Sequence, residues 1–389
     1  MRPDTEVLHR GEGAREGATP LNTPIYATST FVFESAAELE AYQQGNSTKF
    51  LYSRYANPTV EAVEDKIAVL EGAEAALVTS SGMAATSTAL FGLLRAGDEV
   101  VCSAAIYGGT LHLIAEFLKR FGVAPRFASL AELAAPDTLL GPRTKVVWFE
   151  SPNNPTLRCI DIARVATACR ARGVTSAVDN TFASPINQQP IALGVDLVMH
   201  SATKYLNGHS DVTAGALAGS RRLIDALQPA RKLFGGVLEP ASAYALARGM
   251  KTLPLRIARQ NASAQRLAEW LDRDRRVTRV FYPGLASHPD HAIAAKQMKG
   301  FGGMVSFEVA GGYQGACRFY DRLQIIKRAA SLGGTESLCS LPVLTSQYGF
   351  TDEQLEAAGV TRGMVRLSVG LEAPEDLISD LDQALGAGR

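Results

Sequence analysis

Residues 197–204 read Leu197-Val198-Met199-His200-Ser201-Ala202-Thr203-Lys204. A short apolar run that gives way to small polar residues and a lysine is the pattern of a buried strand ending in a cleft. The same form recurs upstream, where Ala75 to Thr79, Glu99 to Ser103, Lys145 to Glu150 and Ser176 to Asp179 are apolar runs of strand length. Between them, apolar residues at helical spacing mark about Met83 to Leu94, Thr110 to Phe121 and Ile160 to Arg172. A first helix covers Thr59 to Glu71, with Val60, Val63, Ile67 and Leu70 on one face and Pro58 suited to its first turn. Strands alternating with helices imply βαβ units. The sequence therefore predicts an α/β fold with a doubly wound, mostly parallel sheet covered on both faces.

The flanks read differently. Residues 1–57 are rich in Gly, Thr, Pro, Asn and Ser with few periodic apolar stretches, which predicts an extended arm able to reach a neighbouring chain. Beyond about Arg248 a long helical pattern runs through Trp270, followed by strand-like runs at Gly303 to Val309 and Val365 to Val369. These predict a smaller α+β domain over 251–389, following an α/β domain over 58–250. A chain of 389 residues suits such a pair.

Lys plus Arg and Asp plus Glu both total 39, so no net field draws the chain to nucleic acid or to an anionic membrane. Met1 to Thr23 contains no apolar core of a signal peptide, and no run of 18 or more apolar residues occurs. The expectation is a cytoplasmic protein with neither a nucleic-acid nor a membrane partner. Cys102, Cys159, Cys169, Cys317 and Cys339 are scattered without a C-x-x-C pair, which predicts free thiols and no structural zinc. His288 and His291 form the closest histidine pair but flank Pro289 in a polar stretch, so no metal site is expected.

In open α/β sheets ligands bind beyond the carboxyl ends of the strands, which singles out the residues that follow each strand. These are Ser80-Ser81-Gly82-Met83, Glu150-Ser151-Pro152-Asn153-Asn154-Pro155, Asp179-Asn180 and Ser201-Ala202-Thr203-Lys204. A glycine among small hydroxyl residues at a helix start exposes backbone N–H groups to an anion such as phosphate, and Ser201 and Thr203 can add hydroxyls. Neither G-x-G-x-x-G nor G-x-x-x-x-G-K-[ST] is present, so dinucleotide and nucleoside-triphosphate readings lose support. On position alone an exposed loop lysine is the simpler reading of Lys204. A Schiff-base lysine needs its amine kept neutral by desolvation or a nearby cation, and a strand-end cleft supplies either. Asp179 is an ordinary strand-terminal cap or, if the ligand is pyridoxal phosphate (PLP), the carboxylate that keeps the pyridine nitrogen protonated. Finding both residues at strand ends of one sheet favours the second pair of readings.

The whole set of motifs resembles the family of PLP-dependent cysteine and methionine metabolism enzymes, which includes cystathionine γ-synthase, the cystathionine lyases, methionine γ-lyase and the O-acylhomoserine sulfhydrylases. The resemblance is carried by Tyr52-Ser53-Arg54, Asn57-Pro58-Thr59, Ser81-Gly82-Met83, Tyr107-Gly108-Gly109-Thr110, the Glu150 to Pro155 segment, Asp179-Asn180-Thr181, His200 to Tyr205, Ser331-Leu332-Gly333-Gly334 and Arg366 to Gly370. It spans nearly the whole chain.

The fold so implied is that of the type I, aspartate aminotransferase-like PLP-dependent transferases. The resemblance further implies that Lys204 bonds the cofactor, Asp179 meets the pyridine nitrogen and Tyr107 stacks on the ring. Gly82, Met83, Ser201 and Thr203 would hold the phosphate, joined by Tyr52 and Arg54 from an adjacent subunit, whose planar guanidinium suits a dianion. Arg366 would clamp the substrate carboxylate with Asn154 and the backbone near Ser331. Lys204 would also move the Cα proton, and Tyr107 would serve as acid or base at the leaving group. The partners implied are a small amino-acid substrate and a second copy of the chain, as a homodimer with shared sites assembling to a homotetramer.

Cystathionine-specific members of the family tend to carry an acid just before the Tyr-Ser-Arg and the Ser-Leu-Gly-Gly motifs. Here those positions are Leu51 and Ala330. Without charge at either point, an uncharged γ-substituent becomes the expected cargo and γ-elimination of the methionine γ-lyase kind the expected reaction. Against it, Gly109 stands where methionine γ-lyases typically carry a cysteine. That keeps γ-replacement on an O-acylhomoserine as the alternative, with cystathionine cleavage behind it.

Overall fold

The computed structural model describes residues 2–10 and 20–386, so residues 11–19 of the expected arm lie outside it. Seven strands form the larger sheet: β1 (Ala75–Thr79), β2 (Glu99–Ser103), β3 (Ala124–Ala128), β4 (Thr144–Glu150), β5 (Thr175–Asp179), β6 (Leu197–His200) and β7 (Gly215–Gly219). Their order is β1-β7-β6-β5-β4-β2-β3. The pairs β2 with β3, β2 with β4, β4 with β5 and β5 with β6 are parallel, while β7 runs antiparallel to β1 and β6.

Both faces of this sheet are buried, as a parallel sheet requires. Val78, Val101, Val147, Val178 and Val198 join one apolar cluster, and their strand neighbours Leu77, Val100, Val146, Ala177 and Leu197 join another on the opposite side. Side chains alternate across a strand, so five strands feeding two clusters is the direct result of continuous apolar runs. Each such valine or leucine contributes about 1.5–3 kcal/mol by leaving water.

Two strands of this sheet escaped the sequence reading. The edge strand β3 contains Pro125, which cannot donate to a ladder and masks a strand pattern. The strand β7 is Gly-Ala-Leu-Ala-Gly, without any β-branched or aromatic residue. Its small residues are needed for close approach: a Cβ on Gly215 would lie 2.1 Å from the Ser81 carbonyl oxygen.

Before Pro58 the chain is not uniformly extended. It forms α1 (Pro3–His9) and α2 (Ala36–Gln43), the second capped by the Ser35 hydroxyl and burying none of its residues. Next comes α3 (Pro58–Glu71), whose Asn57 side chain accepts from the Thr59 N–H and whose Gly72 ends it at φ 65°. Its predicted apolar face, Val60, Val63, Ile67 and Leu70, is buried. The helix α4 (Gly82–Leu93) follows β1 directly. The helix expected over Thr110 to Phe121 starts at Gly108 and widens into a π-turn over Leu113–Leu118, which buries Ile114 and Leu118.

The second sheet contains β8 (Val277–Phe281), β9 (Met304–Val309), β10 (Lys327–Arg328), β11 (Leu338–Ser340) and β12 (Met364–Ser368), in the order β10-β11-β12-β9-β8. All its pairs but β10 with β11 are antiparallel. Leu267 and Leu271 of the 21-residue helix Leu253–Arg273 pack with Phe307 and Phe319 to form its core. Among the described residues no helix is long and apolar enough to cross a membrane, and no group of His, Cys, Asp or Glu is arranged to hold a metal. The five cysteines are free, and His288 and His291 bond to the backbone of their own loop.

Candidate active site

A cavity of about 540 Å³ opens beyond the carboxyl ends of β4, β5 and β6. It is lined by Gly82 and Met83 at the start of α4, by Tyr107, Asn154 and Asp179 after the first-sheet strands, by Ser201, Thr203 and Lys204 after β6, and by Ser331 and Arg366 from the second sheet. Ten of the residues singled out in the sequence thus converge. Tyr52 and Arg54 do not: Arg54 lies 5.5 Å from the Tyr52 ring centroid and 4.9 Å from that of Tyr55, and donates to the Lys232 carbonyl at 2.6 Å.

At one end, the first N–H groups of α4 have no partner within the helix and carry its positive dipole end. Ser81 caps the helix by accepting from the Ala84 N–H at 3.0 Å, which leaves Gly82 and Met83 facing the cavity. A Cβ on Gly82 would lie 3.0 Å from Cβ and 3.1 Å from Oγ of Ser201, so glycine permits the helix start to meet the end of β6. The Thr203 hydroxyl is engaged with Ala214, donating to its carbonyl at 3.1 Å and accepting its N–H at 2.9 Å. Its only donor is therefore turned toward the protein.

On the floor, Asp179 ends β5. Its Oδ1 accepts the N–H and the hydroxyl of Thr181, and that hydroxyl in turn accepts the Ser201 N–H at 2.8 Å. Burial pushes the Asp179 carboxyl above the usual carboxylate range, opposed by the Thr181 donors and by nearby His200. A cation placed against this carboxylate would relieve that cost.

Lys204 donates from Nζ to Ser331 Oγ at 2.7 Å. Burial, and then the positive charge of Arg366, push its ammonium down to about 8, a range where a neutral amine is accessible. Ser331 sits at φ 106°, a conformation costly for a residue with a side chain. Arg366 is 6% exposed, and burial pushes it down to about 10, so it stays charged at neutral pH. Its Nη1 donates to Asn154 Oδ1 at 2.7 Å and its Nη2 to the Ser331 carbonyl at 3.4 Å. Tyr107 is half exposed at the mouth.

Two residues left without a role by the sequence reading also belong to the site. Thr181 orients Asp179 as described. Glu150 ends β4 opposite Asp179 in register and lines the cavity. Both stand at strand ends, which was the available signal.

These features match the groups of PLP one by one: a helix start for the phosphate, a buried carboxylate for a protonated ring nitrogen, and a shielded amine for the aldehyde. A buried guanidinium beside the amine has the charge and planar fork that suit a carboxylate.

Comparison with known proteins points to the same cofactor. Residues 4–386 match the family described as Cys/Met metabolism PLP-dependent enzyme. The chain is 44% identical to the L-methionine gamma-lyase of Pseudomonas putida, over 98% of this chain and 97% of that protein. It is 41% identical to the chloroplastic cystathionine gamma-synthase 1 of Arabidopsis thaliana, over 98% of this chain and 68% of that one. The crystal structure of metB from Corynebacterium glutamicum superposes with a TM-score of 0.93 at 38% identity, covering 99% of this chain and 98% of that one. The fold is accordingly the type I fold of PLP-dependent transferases, as expected from the motifs. The chain belongs to the family of PLP-dependent enzymes of cysteine and methionine metabolism, whose members are lyases and transferases of trans-sulfuration.

Proposed function

We propose that this enzyme cleaves the C–S bond of a methionine-type amino acid by γ-elimination, giving α-ketobutyrate, ammonia and a thiol. The observation that carries the reading is the charge inventory of the cavity. Among the described residues its only lining carboxylates are Glu150 and Asp179, both at the ends of first-sheet strands, and Ala330 lines the wall beside Ser331. No carboxylate is left over for a second ammonium, so an uncharged thioether is the better cargo.

Arg366 and Asn154 hold the substrate carboxylate through planar hydrogen bonds, which orients the Cα–H bond toward Lys204. When bound, PLP supplies an electron sink for the pair released at Cα. Lys204 Nζ, left neutral in part at neutral pH by its lowered affinity for a proton, would take the Cα proton, return it across the substrate nitrogen, and then as a free base remove a Cβ proton, whose electron pair breaks the Cγ–S bond. Asp179, held by the two Thr181 donors, would supply the negative charge that keeps the ring nitrogen protonated. Tyr107, at the solvent side, delivers a proton to the departing sulfur and so releases a neutral thiol.

L-Methionine is expected to yield α-ketobutyrate, ammonia and methanethiol in equal amounts. A ketoacid assay across methionine, cystathionine, homocysteine and O-acylhomoserines, with and without added thiol, tests this. Rapid thioether formation from an acylhomoserine, with no ketoacid from methionine, would sink the elimination reading. One observation favours that second reading, γ-replacement. A Cβ on Gly109 would lie 2.6 Å from Cε1 of Tyr107 and 3.0 Å from Sδ of Met83, so glycine lets the ring settle where a larger residue would displace it.

The arm, residues 1–57, is proposed to complete the site of a neighbouring copy, beside the 58–250 cofactor domain and the 251–389 domain of that copy. Support comes from Tyr52 and Arg54, which stand outside the cavity of their own chain. The assembly proposed is a homodimer with shared sites that pairs into a tetramer. Mixed refolding of Arg54→Ala and Lys204→Ala chains should restore activity that neither shows alone. A 41.4 kDa monomer in sedimentation with full activity would rule the shared site out.

A further inference from the structure

Glu150 is 4% exposed at the end of β4, yet among the described residues it makes no ion pair. Its Oε1 accepts the backbone N–H of Tyr107 at 2.6 Å, and the backbone N–H of Asn154 lies near enough to that carboxyl to favour its charged form. Tyr107 comes from the loop after β2 and Asn154 from the loop after β4, and these strands are neighbours in the sheet. The Asn154 side chain then accepts from Arg366 of the second sheet at 2.7 Å. One carboxyl therefore joins the residue at the cavity mouth to the pair at its far end. Burying a carboxyl against two backbone N–H groups is a costly way to tie loops together, which calls for a reason in the site itself.

We infer that Glu150 is a positioning residue, which fixes Tyr107 relative to the Asn154–Arg366 pair by accepting one backbone N–H from each loop. The inference rests on the proposed roles of Tyr107, Asn154 and Arg366. Glu150 touches neither the substrate carboxylate nor a reacting atom in this account; it acts through the two loops. Burial, and then the adjacent charge of Asp179, push the Glu150 carboxyl well above the usual carboxylate range, toward its uncharged form. An amide of the same length is then a close replacement, while a carboxyl one methylene shorter cannot reach both N–H groups.

The test is a spectral titration of PLP-loaded enzyme with L-norvaline, which has the α-amino and α-carboxylate groups but no γ-leaving group. Its dissociation constant is read from the change in cofactor absorbance and requires no turnover. Glu150→Asp leaves a buried N–H without a partner, which should weaken norvaline by roughly tenfold or more, whereas Glu150→Gln should stay within about threefold of wild type. Glu150→Asp binding as tightly as wild type, or Glu150→Gln failing as badly as Glu150→Asp, would overturn the inference. Arg366→Lys is the control. If it leaves norvaline affinity unchanged, the carboxylate reading itself is wrong; if it weakens norvaline and Glu150→Asp does not, only the role of Glu150 falls.

Discussion

Lys204→Ala should lower turnover by roughly ten-thousandfold or more, because one amine both anchors the cofactor and moves the Cα proton, and groups with such roles each contribute factors of hundreds to thousands. The variant should still fold, since the side chain makes one hydrogen bond, to Ser331, and supports no apolar cluster. Borohydride treatment of the PLP-loaded wild type, followed by digestion and mass spectrometry, should find the pyridoxyl tag on the Lys204 peptide and nowhere in the variant. The pH dependence has a definite sign. Depressing the ammonium to about 8 from the ordinary lysine range enlarges the neutral, nucleophilic fraction at neutral pH. Capture of PLP by the apoprotein should speed up as pH rises from about 6 and level off above about 8. A rise centred near the free-lysine value, or a tag on another residue, would remove the basis of the mechanism.

Asp179→Asn should cost roughly a thousandfold in kcat, comparable to deleting one preorganised electrostatic partner. The substitution preserves shape and an acceptor for the Thr181 donors but deletes the charge. A protonated ring nitrogen then loses the group that keeps it so, and the pull on the Cα–H electrons weakens. Substrate binding should change far less, since Arg366 and Asn154 are unaffected, so the loss belongs in kcat and not in KM. Steady-state kinetics on the variant decides the matter. Activity within about tenfold of wild type would mean that the charge under the ring has little to do with the chemistry.

Much of this was legible in the residues. The continuous apolar runs of β1, β2, β4, β5 and β6 announced a sheet buried on both faces, and the polar residues after them marked the cleft. The strand β7 was hidden because close packing against Ser81 selects glycine and alanine, which look like a loop. The helices α1 and α2 were hidden because they are short and bury little, so no apolar stripe marks them. Arg366 was readable only through the motif around it, since an arginine inside a strand looks like a surface residue until its partners are known. The tie made by Glu150 could not be read at all: it depends on two backbone N–H groups, and the backbone is the same in every sequence. Thr203 illustrates the converse. Its hydroxyl suggested a donor to an anion, and the structure adds a packing use that no pattern showed, the contact with Ala214.

The halves of the site come from different sheets, with Lys204 and Asn154 on one and Ser331 and Arg366 on the other. An amino acid bound as proposed straddles the seam between the two sheets, so the grip on it depends on how the sheets pack together as well as on the residues of either one.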